Sequence, residues 1–177
     1  MKYLRRVVWY IAGRLFLICL IGGLILTVFY YAMNLTNIQI ILKDGMANRA
    51  KVIMGMETDM EVLNKYFQPS CLASDEALQA SLGDNAPYAD YNIRGIDHRL
   101  EMGFFWTWPW DTGVRLNVTE RIPRIDGRVK GTRADEVIAR EGAGALYPPD
   151  WAEAMYRVNL VRENGQWKIR NFTVISE

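Results

Sequence analysis

Residues 15–33 read LFLICLIGGLILTVFYYAM, a run of 19 residues without a charged side chain. As a helix this run is about 28 Å long, which matches a bilayer hydrocarbon core of about 30 Å. A secretory signal has a shorter apolar region, about 7 to 15 residues, and ends at a small-residue cleavage site. This run is longer, and its C-terminal end contains the bulky residues Tyr30 and Tyr31. It predicts an uncleaved transmembrane helix.

The residues that flank the run predict its orientation. Four basic side chains precede it, and no charged residue occurs between positions 15 and 42. This bias places the N-terminus in the cytoplasm, and aromatic residues at both ends suit the two membrane interfaces. The predicted anchor residues are Arg5, Arg6, Trp9, Arg14, Tyr30 and Tyr31. The chain is therefore expected to be a single-pass cell-membrane protein with an extracytoplasmic C-terminal domain.

The predicted organisation has four parts: a basic head (1–14), a transmembrane helix (15–33), a juxtamembrane connector (34–45) and one domain (46–177). The domain is long enough for one hydrophobic core and too short for two. Without the four basic residues of the head, 17 Lys and Arg stand against 20 Asp and Glu. This mildly acidic balance argues against nucleic acid as a partner.

Helical signals come first in the predicted domain. An amphipathic pattern predicts a helix over 46–66, and the membrane helix is expected to run on into it with a kink. Gly45 and Gly55 are expected to weaken it locally. Ser74 is expected to cap a second short helix.

Strand signals follow from Tyr88 onward. Period-two alternation predicts strands over 96–104, 114–122 and 156–160, and residues 132–149 are expected to form a helical turn and a loop. Asn164-Gly165 predicts a tight hairpin turn into a last strand, with a bulge near Arg170 where the apolar parity shifts. The basic stretch over 121–133 is interpreted as an exposed strand and turn, with contact to anionic lipid or a partner as the alternative.

The order of elements, the segment NKYFQPSCLASDEAL and the closing hairpin RVNLVRENGQWKIRNFTVIS resemble the NTF2-like (cystatin-like cone) superfamily. This resemblance implies an α+β fold in which N-terminal helices pack on a curved antiparallel sheet. Membrane-anchored proteins with such an outward domain resemble VirB8- and TcpC-type components of type IV secretion and conjugation machines. Those components are assembly subunits, and the resemblance implies a similar role here.

NTF2-like cones also host enzymes, so the ionisable residues of the sheet matter. His98, the one histidine of the chain, falls on the strand face of Ile96 and Leu100, and Glu120 shares the face of Val118. Two ionisable groups on an apolar face could form an acid/base pair, although such groups are more often structural. The catalytic candidates are His98 and Glu120, and Tyr88, Asp90 and Tyr91 are candidate neighbours.

No cofactor or metal is predicted. The chain has one histidine, two cysteines (Cys19 and Cys71), and no calcium, phosphate-loop or dinucleotide motif. Because Cys19 lies within the membrane run, an intrachain disulfide is not expected.

The segment FFWTWPW at 104–110 is the second unusual feature. Its predicted interaction residues are Phe104, Phe105, Trp106, Trp108 and Trp110. An apolar loop of this kind is core, a partner interface or a lipid contact.

Three functional hypotheses follow. The first is a non-catalytic envelope component with protein partners or a homo-oligomeric assembly, of secretion, conjugation or sporulation type. The second is a small-molecule pocket or enzyme that uses His98 and Glu120. The third is a lipid-contacting module that uses the Trp-rich loop.

Overall fold

The computed structural model describes residues 2–83 and 86–176 and has an α+β architecture. A long N-terminal helix, α1 (Lys2–Ile53), precedes three short helical segments and an antiparallel sheet. The part Arg5–Ile53 is long and apolar enough to cross a membrane. Its C-terminal turns belong to the folded domain, because Ile38, Leu42 and Met46 are fully buried there.

Residues 34–45, expected to be a connector, are helical throughout. The predicted helix over 46–66 is too long, since α1 ends at Ile53. Gly55 follows that end with φ +69°, and the Met56 amide donates to the Lys51 carbonyl at 2.9 Å. This is a Schellman end, which needs a residue that tolerates positive φ. Gly55 therefore stops the helix instead of weakening its interior.

Gly45 also has a role that the sequence reading missed. A Cβ at this position would lie 3.0 Å from the Tyr66 Cβ and 3.3 Å from the Ile169 Cδ1. The glycine thus lets α1 approach the segment at Tyr66 and the last strand more closely than any side chain would allow.

Three short helical segments follow α1: a 3₁₀ helix (Met60–Lys65), α2 (Pro69–Ala73) and α3 (Glu76–Ser81). Asp75, and not Ser74, caps α3, since its carboxylate accepts a hydrogen bond from the Leu78 amide at 3.2 Å. Ser74 instead lies at the C-terminal end of α2. The sequence predicts a helix at this place, and the structure corrects its cap from Ser74 to the next residue, Asp75.

The strands are β1 (Tyr91–Ile96), β2 (Arg99–Met102), β3 (Gly113–Arg121), β4 (Ile125–Val129), β5 (Ala154–Glu163) and β6 (Gln166–Ser176). The main sheet is curved, with the order β2-β3-β5-β6, while β1 and β4 form a separate antiparallel pair. The single strand predicted over 96–104 is wrong, because the chain leaves the small sheet at Ile96 and enters the main sheet at Arg99. Alternation alone does not reveal such a change of sheet.

The hairpin of β5 and β6 confirms two predictions. Asn164 and Gly165 have φ values of +49° and +83°, as a type I′ turn requires. Asn159 pairs with Asn171 and the next residue, Leu160, pairs with Ile169. Arg170 is therefore the extra residue of a β-bulge.

Between β4 and β5 the chain forms a 3₁₀ turn (Gly131–Arg133), helix α4 (Ala134–Glu141) and a second 3₁₀ turn (Ala143–Leu146). The helical turn expected over 132–149 is thus a helix of two turns. The core lies between the buried face of α1 and the inner face of the main sheet, where Val118, Val158 and Ile169 are buried.

Candidate functional site

A cluster of charged side chains lies inside the domain, where α1 meets the main sheet. The Arg49 Nε lies 2.5 Å from the Asp75 Oδ2, and its Nη2 donates to the Asp75 Oδ1 at 2.9 Å. Both side chains are almost completely buried. This is a bidentate salt bridge between the last turns of α1 and the cap of α3. Bidentate contact is the strongest geometry for an arginine and a carboxylate.

Glu120 of β3 completes the cluster from the sheet side. Its side chain has 0% exposure, its Oε1 lies 2.9 Å from the His98 Nε2, and its Oε2 lies 3.9 Å from the Arg49 Nη1. The Arg49 Nη1 and the Glu120 Oε2 have no hydrogen-bond partner within the described chain.

The electrostatics follow from one guanidinium facing two carboxylates. Burial disfavours the charged form of Arg49, but the hydrogen bond that it donates to Asp75 and the charges of Asp75 and Glu120 prevail and raise its pKa. Burial and the Glu120 charge raise the pKa of Tyr156 to about 12. Arg49 also lies over the ring of Phe172, 4.9 Å from its centre.

The structure thus brings both catalytic candidates together, but inside a closed region. The Glu120 carboxylate is surrounded by protein, and the His98 side chain is also buried. A substrate would have to displace packed side chains to reach either group. The arrangement is suited to holding α1, α3, β3 and the link between β1 and β2 in one geometry.

Sequence reasoning missed Arg49 and Asp75. A signal for Arg49 existed, since it continues the buried face of α1 at helical spacing after Leu42 and Met46. A single arginine on an apolar stripe requires a buried carboxylate. Asp75 carried no comparable signal, because an acid at a helix start is common on the surface.

Tyr88, Asp90 and Tyr91 have described contacts elsewhere. The hydroxyl of Tyr91 donates to the Ala145 carbonyl at 3.1 Å, and that of Tyr88 lies 3.4 Å from the Pro149 carbonyl oxygen. Asp90 pairs with Arg133 at 3.2 Å. These residues hold the segment that follows α4 against the small sheet.

The aromatic segment connects β2 with β3 and has two faces. Phe105 and Thr107 point inward and are buried. The exposed fractions of the alternate residues are 92% for Phe104, 54% for Trp106, 43% for Trp108 and 67% for Trp110. We call these four exposed residues the aromatic face. Among the five aromatic residues of the segment, Phe105 alone is buried in the core.

The aromatic face adjoins the apolar helix. The ring centres of Tyr31 and Trp106 are 4.7 Å apart. One turn later, the Asn34 Nδ2 donates to the Trp108 carbonyl at 3.2 Å. Asn34, which the sequence did not single out, thus connects α1 to the loop.

The predicted anchor residues all lie on α1. Trp9 and Tyr30 are exposed, and Arg14 lies over the ring of Tyr10 at 5.0 Å. Tyr31 differs from them because it packs against Trp106. Arg5 and Arg6 lie near the N-terminal end of the helix.

The basic stretch over 121–133 is dispersed by the fold. Arg121 pairs with Glu153 at 2.8 Å, Arg124 with Asp126 at 2.8 Å, and Lys130 donates to the Ala89 carbonyl at 2.6 Å. The predicted exposed strand is β4. Several cations of the basic stretch are thus engaged by neighbouring acids and carbonyls.

Comparison with known proteins finds no matching family model, no matching curated protein and no matching solved structure.

Proposed function

We propose that this protein is a non-catalytic, single-pass membrane component whose extracytoplasmic domain is an assembly or interaction module in an envelope complex. A secretion, conjugation or sporulation machine is the kind of complex expected, in accord with the NTF2-like resemblance of the sequence. The N-terminus is cytoplasmic, and residues 15–33 cross the membrane. Partner proteins or further copies of the chain bind the domain.

One observation carries this proposal: the apolar helix does not end before the domain but becomes part of its core. Ile38, Leu42 and Met46 are buried on the same helix that contains the membrane run. The salt bridge between Arg49 and Asp75 connects the C-terminal end of α1 to the cap of α3, and so to the rest of the domain. A simple membrane anchor does not require a rigid attachment to its domain. A subunit that must hold a binding surface at a fixed distance and angle from the membrane does require one.

An insertion tests the proposal. Gly-Ser-Gly-Ser after Thr36 separates the membrane run from the buried part of α1 with a flexible joint. The protein should remain in the membrane but leave its high-mass complex on native gels of mildly solubilised membranes. The same insertion after Gly131, in an exposed turn, is the matched control and should retain the complex.

Circular dichroism and limited proteolysis establish that the domain of each variant is folded. A wild-type protein recovered alone and monomeric from its native membranes would contradict the proposal. So would a full-size complex with the insertion after Thr36.

The second candidate function is a small-molecule pocket or enzyme in which His98 and Glu120, whose side chains lie 2.9 Å apart, act as an acid/base pair after the side chains that cover them move. His98→Gln retains a hydrogen-bonding side chain of similar size and removes the titratable ring. Loss of function in a folded His98→Gln protein that still assembles would support this candidate. Normal function would eliminate it.

A further inference from the structure

The aromatic face is a large apolar surface at a defined position. Its four side chains are directed away from the core, and three of them are tryptophans. Trp108 and Trp110 stack with ring centres 5.2 Å apart, and Trp106 meets Trp108 edge to face at 5.3 Å. Contiguous exposed apolar surface of this kind marks a contact with another molecule or a membrane.

The position of this face along α1 identifies what covers it. Trp106 packs on Tyr31, which lies two residues before the end of the predicted membrane run 15–33. The Trp108 carbonyl oxygen accepts a hydrogen bond from the side chain of Asn34, the first residue after that run. The aromatic face therefore lies at the height where a spanning helix passes from hydrocarbon to headgroups. Tryptophan and tyrosine are enriched at that level of a bilayer.

The loop is also held in shape without a partner. The Asp111 Oδ2 accepts a hydrogen bond from the Trp108 amide at 2.7 Å. Arg162 of β5 donates to the Pro109 carbonyl at 3.1 Å. Phe105 and Thr107 are buried and anchor the loop to the interior of the domain. Because these contacts already hold the loop backbone, insertion of the loop into lipid would cost little backbone entropy.

We propose that Phe104, Trp106, Trp108 and Trp110 form a second membrane contact, which inserts into the headgroup region of the leaflet from which α1 emerges. The occupant is the phospholipid of that leaflet, recognised by apolar and amphipathic contact and not by charge. With one helix alone, the domain could rock about its exit point. Helix and loop together fix its tilt.

This inference rests on the proposed membrane anchor, and its test separates the two. The full-length chain is reconstituted in vesicles of phosphatidylcholine and phosphatidylglycerol, with Cys19→Ala and Cys71→Ala to remove the native thiols. A spin label is attached at Phe104→Cys, a position whose exposure makes the change harmless to packing. Its collision rates with oxygen, which concentrates in lipid, and with a water-soluble nickel chelate are then measured.

Tyr147→Cys supplies the matched control. Tyr147 is also an exposed aromatic residue, and it lies two positions after Ala145, which is bonded to Tyr91. Tyr91 lines a small cavity with Val52 and Ile53, at the far end of α1. Ile53 is 22 residues beyond Tyr31, or about 33 Å along the helix. A spin label at position 147 should therefore lie in water and be readily accessible to the nickel chelate.

The expected result is an oxygen-to-nickel collision ratio at least tenfold higher at position 104 than at position 147. Equal, water-like ratios at the two positions would overturn the inference. A label at 104 that neither reagent reaches would also overturn it, because protein would then cover the face. Flotation of the vesicles tests the anchor by itself: a chain that does not float with lipid lacks the anchor, whereas a floating chain with a wet label lacks only the second contact.

Discussion

The Trp167 Nε1 donates a hydrogen bond of 2.7 Å to the Asn34 Oδ1, which connects the start of β6 to the first turn of α1 beyond the apolar run. The amide nitrogen of the same Asn34 side chain donates to the Trp108 carbonyl. One buried amide thus joins the helix, the aromatic loop and the closing hairpin. It determines where the domain begins relative to the predicted membrane surface.

Asn34→Leu should lower the free energy of unfolding by about 1–3 kcal/mol, because it leaves the buried Trp167 Nε1 without an acceptor. Urea unfolding of the full chain in mild detergent measures the change. Asn37→Leu, at an exposed position one turn on, is the control and should change stability by less than about 0.5 kcal/mol. Equal effects of the two changes would show that the Asn34 contacts do not stabilise the domain.

Arg49→Met should lower the free energy of unfolding by about 3–5 kcal/mol, since it leaves Asp75 and Glu120 buried without a counter-charge. Arg124→Met removes an exposed ion pair with Asp126 and should cost less than about 1 kcal/mol. Both variants are compared by thermal unfolding in detergent.

Adding Glu120→Gln to Arg49→Met should restore part of the loss, because it removes one of the two uncompensated charges. Costs that simply add in the double variant would mean that Arg49 and Glu120 do not interact across their 3.9 Å separation.

Gly45→Val should destabilise the domain by about 1–3 kcal/mol, because the added carbons would collide with Tyr66 and Ile169. Helix propensity alone predicts that this change stabilises the domain, because valine is a better helix former than glycine. Gly13→Val is the matched change in the same helix, at a site with no neighbouring atom within 4 Å. Stabilisation by both changes would refute the close approach at Gly45.

Cys71 should resist alkylation in the folded protein at pH 8. Its thiol is 3% exposed, and burial together with the nearby Asp75 charge raises its pKa to about 12. Iodoacetamide labelling of the Cys19→Ala protein, followed by mass spectrometry, measures the rate with and without denaturant. Ala73→Cys in a chain without Cys71 is the exposed control and should react at the rate of an unfolded thiol. Rapid labelling of folded Cys71 would contradict the burial.

The raised pKa of Cys71 also predicts how stability depends on pH. The folded state retains this proton more tightly than the unfolded state, whose thiol titrates near its ordinary value of 9.0. Stability is therefore fully present below pH 9 and is lost as the pH rises toward about 12. Tyr156 adds to the loss above pH 10, its ordinary value. Cys71→Ala should lessen the alkaline loss that begins near pH 9, below the pH at which Tyr156 of the unfolded state titrates.

Several features could be predicted because they depend on neighbours in the chain. The apolar run, the Asn164-Gly165 turn and the bulge at Arg170 each result from local composition, backbone preference or side-chain parity. The helix over 46–66 was predicted too long because its apolar spacing continues past the point where Gly55 adopts positive φ. The strand over 96–104 was predicted as one because alternation persists while the chain changes sheets.

Hydrophobic periodicity and turn chemistry are local properties, so they suffice to predict a long apolar helix followed by a mixed helical and strand domain. The meeting of Arg49 and Asp75 with Glu120 and His98, and the contact of Trp106 with Tyr31, emerge only when the chain is folded. The role of a buried charge or an exposed aromatic ring depends on groups that are far away in the sequence. Packing alone brings those groups within reach.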